Sequence, residues 1–293
     1  MKRIVIIGGG AAGLMAACTA NYIYRNGGAD ITVVEKNERP ARKLMITGKG
    51  RCNVCNNCDI DTLIANVPEN GRFLYSAFSG FAPQDTMTFF ESLGVSLKTE
   101  RGNRVFPVSD KASDIVDALV KAAKRGGTEI IQGTAKKILT ENGAVSGVLL
   151  ENGEALPADS VILATGGMSY PLTGSAGDGY KIARALGHTV TEIKPSLVAL
   201  NAHEGFCERL AGLSLKNVAL SVFEEGRKKP VFSELGEILF THFGISGPLV
   251  LSASAHMRYI GKKQYTAAID LKPGLTPEQL DKRILRDFDE EKN

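Results

Sequence analysis

No stretch of about 18 consecutive apolar residues occurs in the sequence, which excludes a transmembrane helix. Histidine is scarce, four residues in 293, and no Gly-x-Ser-x-Gly elbow is present, so a hydrolase built on a nucleophilic triad finds little support. The five cysteines form no regular framework. They point to a reducing interior, with the cytoplasm as the expected location, rather than to a disulfide scaffold. A formal net charge of +3 is too small to argue for nucleic acid or a membrane surface as partner. Repeats and low-complexity segments are missing as well. What remains is an ordinary globular composition, 43% hydrophobic and 23% charged, with 32 glycines against 11 prolines. That ratio suggests tight turns and close backbone approaches rather than disorder. The length accommodates about two domains.

Lys2 and Arg3 precede an apolar stretch as in a signal peptide, but Gly8, Gly9, Gly10 and Gly13 interrupt it. A strand-turn-helix explains the pattern better. Residues 3–7 read as a strand buried on both faces, followed by a helix through Leu14, Ala17 and Cys18 and a second buried strand over Asp30–Glu35. Together they make a βαβ unit. The loop 39–58 resists assignment. A helix is expected over Pro83–Leu93, stopped by Gly94, and another after a Ser109 cap, with apolar positions Ala112, Ile115, Val116, Leu119, Val120 and Ala123. Strands follow over 128–132, 135–140, 145–150 and 160–164, with Asn142-Gly143 and Asn152-Gly153 as hairpin turns. A helix at about 178–186 ends at Gly187. Beyond Pro195 the chain turns mostly β, with runs near 197–201, 215–223, 236–241 and 265–271 and a hairpin at Glu225-Gly226. Thr276-Pro277-Glu278-Gln279 opens a last helix with Leu280, Ile284, Leu285 and Phe288 on its apolar face.

Gly8-x-Gly10-x-x-Gly13 lies between a strand and a helix, and Glu35 closes the next strand at about the spacing of a dinucleotide fingerprint. The first glycine makes the tight turn, the second admits a pyrophosphate to the backbone, and the third lets helix and strand pack closely. The pyrophosphate then meets the positive end of the helix at Ala11 and Ala12. Glu35 can accept from ribose hydroxyls and disfavours a 2′-phosphate, so NADP does not fit this site. Ser160–Gly167, with Ala164-Thr165-Gly166 at its end, resembles the segment by which flavoproteins with two dinucleotide-binding domains bring a late strand beside the first. That likeness favours FAD over NAD. Asp178 reads equally as a cofactor contact or a helix N-terminal carboxylate. Arg39, Arg42, Lys43, Lys49 and Arg51 form a basic stretch suited to cofactor phosphates or an anionic substrate. It lacks the interleaved aromatics of a nucleic-acid patch.

The most specific local signature is Thr47-Gly48-Lys49-Gly50-Arg51-Cys52-Asn53. With Arg104-Val105-Phe106-Pro107, Ala164–Tyr170 and Leu239-Phe240-Thr241-His242-Phe243-Gly244-Ile245-Ser246-Gly247-Pro248, it resembles the HI0933-like flavoproteins over essentially the whole chain. The resemblance implies an α/β fold: a Rossmann-like FAD-binding domain with a parallel and a small antiparallel sheet, here 1–192, and a second, mainly β inserted domain with the start of a helical part, here 193–293. It implies FAD as cofactor, with the loop carrying Gly48, Gly50, Arg51, Cys52 and Asn53 beside the flavin. Lys36 and Ala135 complete the expected cofactor-binding set. The implied activity is that of a flavin oxidoreductase on a small organic substrate, such as an activated C=C bond. An RNA-modifying reductase role and a non-catalytic nucleotide-binding fragment are the alternatives. No second glycine fingerprint exists for a separate nicotinamide domain, so the sequence does not name the electron donor; NAD(P)H binding transiently at the flavin face is the one considered. Relative to full family members the chain reads as C-terminally shortened, with the adenine-dinucleotide half retained. No oligomeric state is implied.

Cys52-x-x-Cys55-x-x-Cys58 has the spacing of a metal site, but a fourth ligand is wanting, so no metal is expected. Cys52 as a redox-active thiol and His242 as a substrate-facing group are weak catalytic candidates.

Overall fold

In the computed structural model, which describes residues 1–25 and 27–290, the first apolar run forms strand β1 (Lys2–Ile7). Its four consecutive apolar residues are all buried because each face has its own partner. Ile4 and Ile6 join helices α1 (Ala11–Ile23) and α6 (Ala112–Arg125) in one cluster. Val5 and Ile7 join a small antiparallel sheet in another. Alternation with period two thus becomes a continuous apolar run when both faces are covered.

Two compact units result, Met1–Thr191 and Glu192–Asn293. In the first, the parallel sheet has the order β10-β1-β2-β6, with β2 at Ala29–Glu35, β6 at Glu129–Gln132 and β10 at Ser160–Leu163. Ile6 is in register with Val33 on one side and Ile162 on the other. The small sheet consists of β7 (Ala135–Glu141), β8 (Ala144–Leu150) and β9 (Ala155–Pro157). Asn142 and Gly143 both take positive φ in the first turn, as a two-residue hairpin requires. The Asn152-Gly153 turn leads into β9, not directly into the strand at 160. After buried Ala158, the chain leaves the small sheet and enters the parallel one as β10.

The unassigned loop 39–58 contains α2 (Arg42–Ile46), a 3₁₀ turn (Thr47–Gly50) and β3 (Cys55–Asn56). Strand β3 pairs with β5 (Arg104–Pro107), which pairs with β4 (Leu97–Glu100). Helices α3 (Ile60–Ala65), α4 (Tyr75–Gly80) and α5 (Pro83–Ser92) lie between β3 and β4 in the chain. Gly94 follows α5 with φ +86°, the left-handed stop expected of it. The cap of α6 is Lys111 rather than Ser109. Asp110 sits at φ +57° and turns the chain once more, and the Ser109 hydroxyl accepts the Lys111 N–H at 3.3 Å. Helix α7 spans Asp178–Ala185.

The second unit is a five-stranded sheet of order β11-β14-β13-β12-β15: β11 (Leu200–Asn201), β12 (Ser214–Glu224), β13 (Phe232–Thr241), β14 (Gly244–Ser246) and β15 (Tyr265–Asp270). Val218, Leu220 and Val222 alternate inward on β12 and share a core with Leu249, Val250 and Ala253. Those last three belong to α9 (Pro248–His256), a helix where only strands are expected. Its apolar residues are near-continuous, so periodicity does not reveal it, and Gly247-Pro248 is the only start signal. Helix α8 (Phe206–Arg209) is a single turn, and α10 spans Pro277–Glu290. Thr276 caps α10 as anticipated: its hydroxyl accepts from Gln279 N–H at 3.3 Å, and the Gln279 side chain accepts from Thr276 N–H at 2.9 Å. No helix among the described residues is long and apolar enough to cross a membrane.

Candidate functional site

The turn after β1 shows why glycine is needed at two of its positions, Gly8 and Gly13. Gly8 has φ +105°, donates to Val34 O at 2.8 Å, and a Cβ on it would stand 2.5 Å from the Ala164 carbonyl oxygen. A Cβ on Gly13 would collide with the carbonyl oxygen of Gly8. Gly10 differs, since nothing lies within 4 Å of where its Cβ would be. It is the N-cap of α1 and provides no side-chain cap. The helix's first N–H groups, with its positive end, therefore face open space.

That space is a cavity of about 660 Å³ at the C-terminal edge of the parallel sheet, bounded by Ile7, Val34, Leu163 and Gly133 at the strand ends. Of the residues singled out from sequence, Gly8, Gly10, Ala11, Ala12, Glu35, Lys36, Lys43, Ala135, Ala164, Thr165, Gly166 and Asp178 line it. Gly13 lies behind the turn, against Gly8. Glu35 is only 8% exposed. One carboxylate oxygen accepts from Gly9 N–H at 2.8 Å, and the other from the backbone (2.8 Å) and side-chain (2.6 Å) N–H of Asn37. The oxygen facing Gly9 keeps a lone pair for a further donor. Lys36 Nζ donates to Asp178 Oδ2 at 2.6 Å, so Asp178 is at once a cavity wall, the first residue of α7 and an ion-pair partner. Lys43 Nζ donates to Ser169 Oγ at 3.3 Å, and partial burial lowers its pKa.

Gly48, Gly50, Arg51, Cys52 and Asn53 do not line the cavity; Thr47 is the part of their signature that does. The loop is held from behind. Arg51 reaches Glu100 at 2.6 Å and Asp110 at 2.8 Å, and its guanidinium lies 4.0 Å over the Phe106 ring. Gly48, Lys49, Gly50 and Cys52 all take positive φ. With its amide nitrogen turned inward, Asn53 donates to Val105 O and Cys55 O. Cys52 is 1% exposed, and burial pushes its thiol up despite a hydrogen bond with Thr47 that pulls it down. That favours the inert thiol over the reactive thiolate. His242 lies in the second unit, exposed at the β13–β14 turn, edge-on to Phe243 at 5.0 Å. Among the described residues no three His, Cys, Asp or Glu side chains gather as a metal site.

Of the basic stretch, Arg42 and Lys43 reach the cavity. Asn37, Thr134, Ser175 and Tyr180 also line it and escape the sequence reading. Asn37 stands two residues beyond Glu35, which was its only signal. The others arrive from distant segments.

The HI0933-like protein Rossmann domain matches residues 2–255. A 3-dehydro-bile acid delta(4,6)-reductase of Clostridium scindens is 34% identical over 286 residues, covering 96% of this chain and 67% of its own. A ribosomal RNA dihydrouridine synthase of Escherichia coli is 30% identical over 253 residues, covering 86% of this chain and 60% of its own. The chain thus spans about two thirds of the length of these relatives. Among solved structures, Thermovibrio ammonificans THI4 overlaps 87% of this chain and 79% of its own, at 15% identity and a TM-score of 0.44. The chain belongs to the HI0933-like Rossmann-domain family of flavoprotein oxidoreductases.

Proposed function

We propose that the cavity holds FAD, with residues 1–192 as the cofactor domain and 193–293 as a mainly β inserted domain. The observation that carries this reading is the convergence at one cavity of the Gly8–Gly10 turn, the uncapped start of α1, buried Glu35 and the Ala164–Gly166 turn. These are the groups a dinucleotide needs. Open space at Gly10 lets a pyrophosphate approach the backbone, the α1 N-terminus and the cations Arg42 and Lys43 balance its charge, and Glu35 accepts from a ribose hydroxyl.

FAD, when bound, supplies hydride transfer at flavin N5. This chain's residues bind and orient it, and the Arg51 cluster steadies the loop that follows Thr47. The substrate reading is a small organic molecule with an activated C=C bond, reduced with NAD(P)H as transient donor in the cytoplasm. The C. scindens relative, a reductase of a bile-acid derivative by name, supports it. The name of the E. coli relative supports a second reading, reduction of a base in RNA.

The test is the visible absorption spectrum of the purified chain after incubation with FAD and desalting. A retained flavin band that bleaches under anaerobic NAD(P)H is the expected result. A colourless protein, with a longer version of the chain also colourless, overturns the cofactor assignment. Loss of an enone substrate's absorbance or loss of uridine from RNA then separates the two substrate readings.

A further inference from the structure

The net charge of +3 conceals an uneven distribution in the second unit. Register between Glu224 and Tyr265, and between Val222 and Phe232, places the β12–β13 turn beside the connection from α9 to β15. Glu225 N–H donates to Gln264 O at 2.9 Å and joins them. A third segment arrives where Lys194 Nζ donates to Arg258 O at 3.2 Å and Glu192 lies 3.6 Å from Lys262. Lys194, Arg227, Lys228, Lys229, Lys262 and Lys263 thereby collect at one end of the sheet against Glu192, Glu224 and Glu225, six cations to three acids.

Of the acids, Glu192 and Glu225 are exposed, with Glu192 beside Lys194 and Lys262, and neither lies within ion-pair distance of Lys228 or Lys229. Glu224 is 3% exposed and works from beneath, accepting from Lys263 at 2.6 Å and lying 3.3 Å from Arg227. It orders two cations whose neighbours Lys228 and Lys229 are exposed and have no anionic partner among the described residues. Within the cluster Tyr259 is 40% exposed. Its backbone N–H donates to the Tyr265 hydroxyl at 3.0 Å, and Lys263 Nζ lies 4.9 Å from its ring centroid. An anchored aromatic ring among cations is a platform on which an unpaired base can stack while lysines meet the flanking phosphates.

We infer that this end of the second unit is a binding surface for single-stranded RNA, with Lys228 and Lys229 on phosphates and Tyr259 under a base. The placement of charge and ring carries it, and it rests on the second substrate reading only for what the bound RNA is for. A membrane surface fits less well, since Ile193 and Ile260 are the only exposed large aliphatic side chains among the described residues of these segments.

The test is binding of a fluorescent oligouridine to the full chain by anisotropy across a salt series, beside the K228A/K229A double variant, Y259A, and a K216A/K272A control that removes equal charge elsewhere. Three net phosphate contacts give a log–log salt slope of about −2 for a single strand, and losing two makes it shallower by about 1.4. Y259A should weaken binding about tenfold at unchanged slope, and K216A/K272A should keep the wild-type slope. All of these side chains are on the surface, and each variant's far-ultraviolet circular dichroism and flavin retention confirm its fold.

No binding at low salt, equal slopes for both double variants, or stronger binding to anionic phospholipid vesicles than to RNA would overturn the surface. RNA that binds as described but is never reduced leaves the surface standing and removes the RNA-reductase reading. Reduction of RNA with the slope untouched by K228A/K229A does the reverse.

Discussion

Gly10 and Gly13 sit three residues apart in one motif and do opposite things. Gly13 is needed for packing, because any Cβ meets the Gly8 carbonyl and forces α1 away from the β1 turn. At Gly10 a Cβ would meet nothing in the protein itself, so on the proposed FAD reading its glycine serves to leave space for the pyrophosphate. Gly13→Ala should therefore cost about 1–3 kcal/mol of stability through overpacking. Gly10→Ala should stay within about 1 kcal/mol of wild type as an N-cap change and yet weaken FAD retention. Thermal melts with and without FAD check both; a Gly10→Ala protein that binds FAD normally would remove the pyrophosphate from that position. The residues of this motif are legible in sequence because their constraint is local sterics. Arg51 is not legible in the same way. Its signature is conspicuous, but Glu100 and Asp110, which hold it, are 49 and 59 residues away.

At the scale of elements, β10 shows how a strand is assigned to a sheet. Its apolar run is visible in sequence, but its neighbour is decided by contacts across more than 150 residues. Asp159, just before it, accepts from Arg3 N–H at 2.8 Å and pairs with the Arg3 guanidinium, which starts the parallel register with β1. The Arg3 side chain and backbone N–H hold the Asp159 carboxyl down at about 2. A carboxylate depressed in the folded state stabilises above its unfolded pKa of about 4, and that contribution is lost as pH falls through the folded value. Asp159→Asn should lower the melting temperature at neutral pH, and the gap should close as pH falls from about 4 to about 2. A gap that is constant with pH would mean that the ion pair does not set it. Helix α9 makes the converse point. Its position beneath β12 and β13 follows from the need to cover their inward side chains, which no local pattern announces.

Over the whole molecule, each of the two units has its own core, and the connection over residues 188–196 has no regular structure and is mostly exposed. Limited proteolysis with a protease of broad specificity should cut there first and leave two resistant fragments; early cuts within β12 or β1 instead would contradict the division. Composition, the glycine fingerprint and the alternation of strands determined, without any structure, an α/β chain with a Rossmann-type nucleotide-binding half and a mostly β second half. Turn sterics and strand periodicity act over a few residues, so they can be read directly. Only the tertiary structure decided that Asn37 shares Glu35's carboxylate, that Arg51, Cys52 and Asn53 stand behind the cavity wall, and that six dispersed cations converge on one end of a sheet. Those outcomes depend on which distant segments pack together, a sum over the whole core that no short stretch of sequence contains.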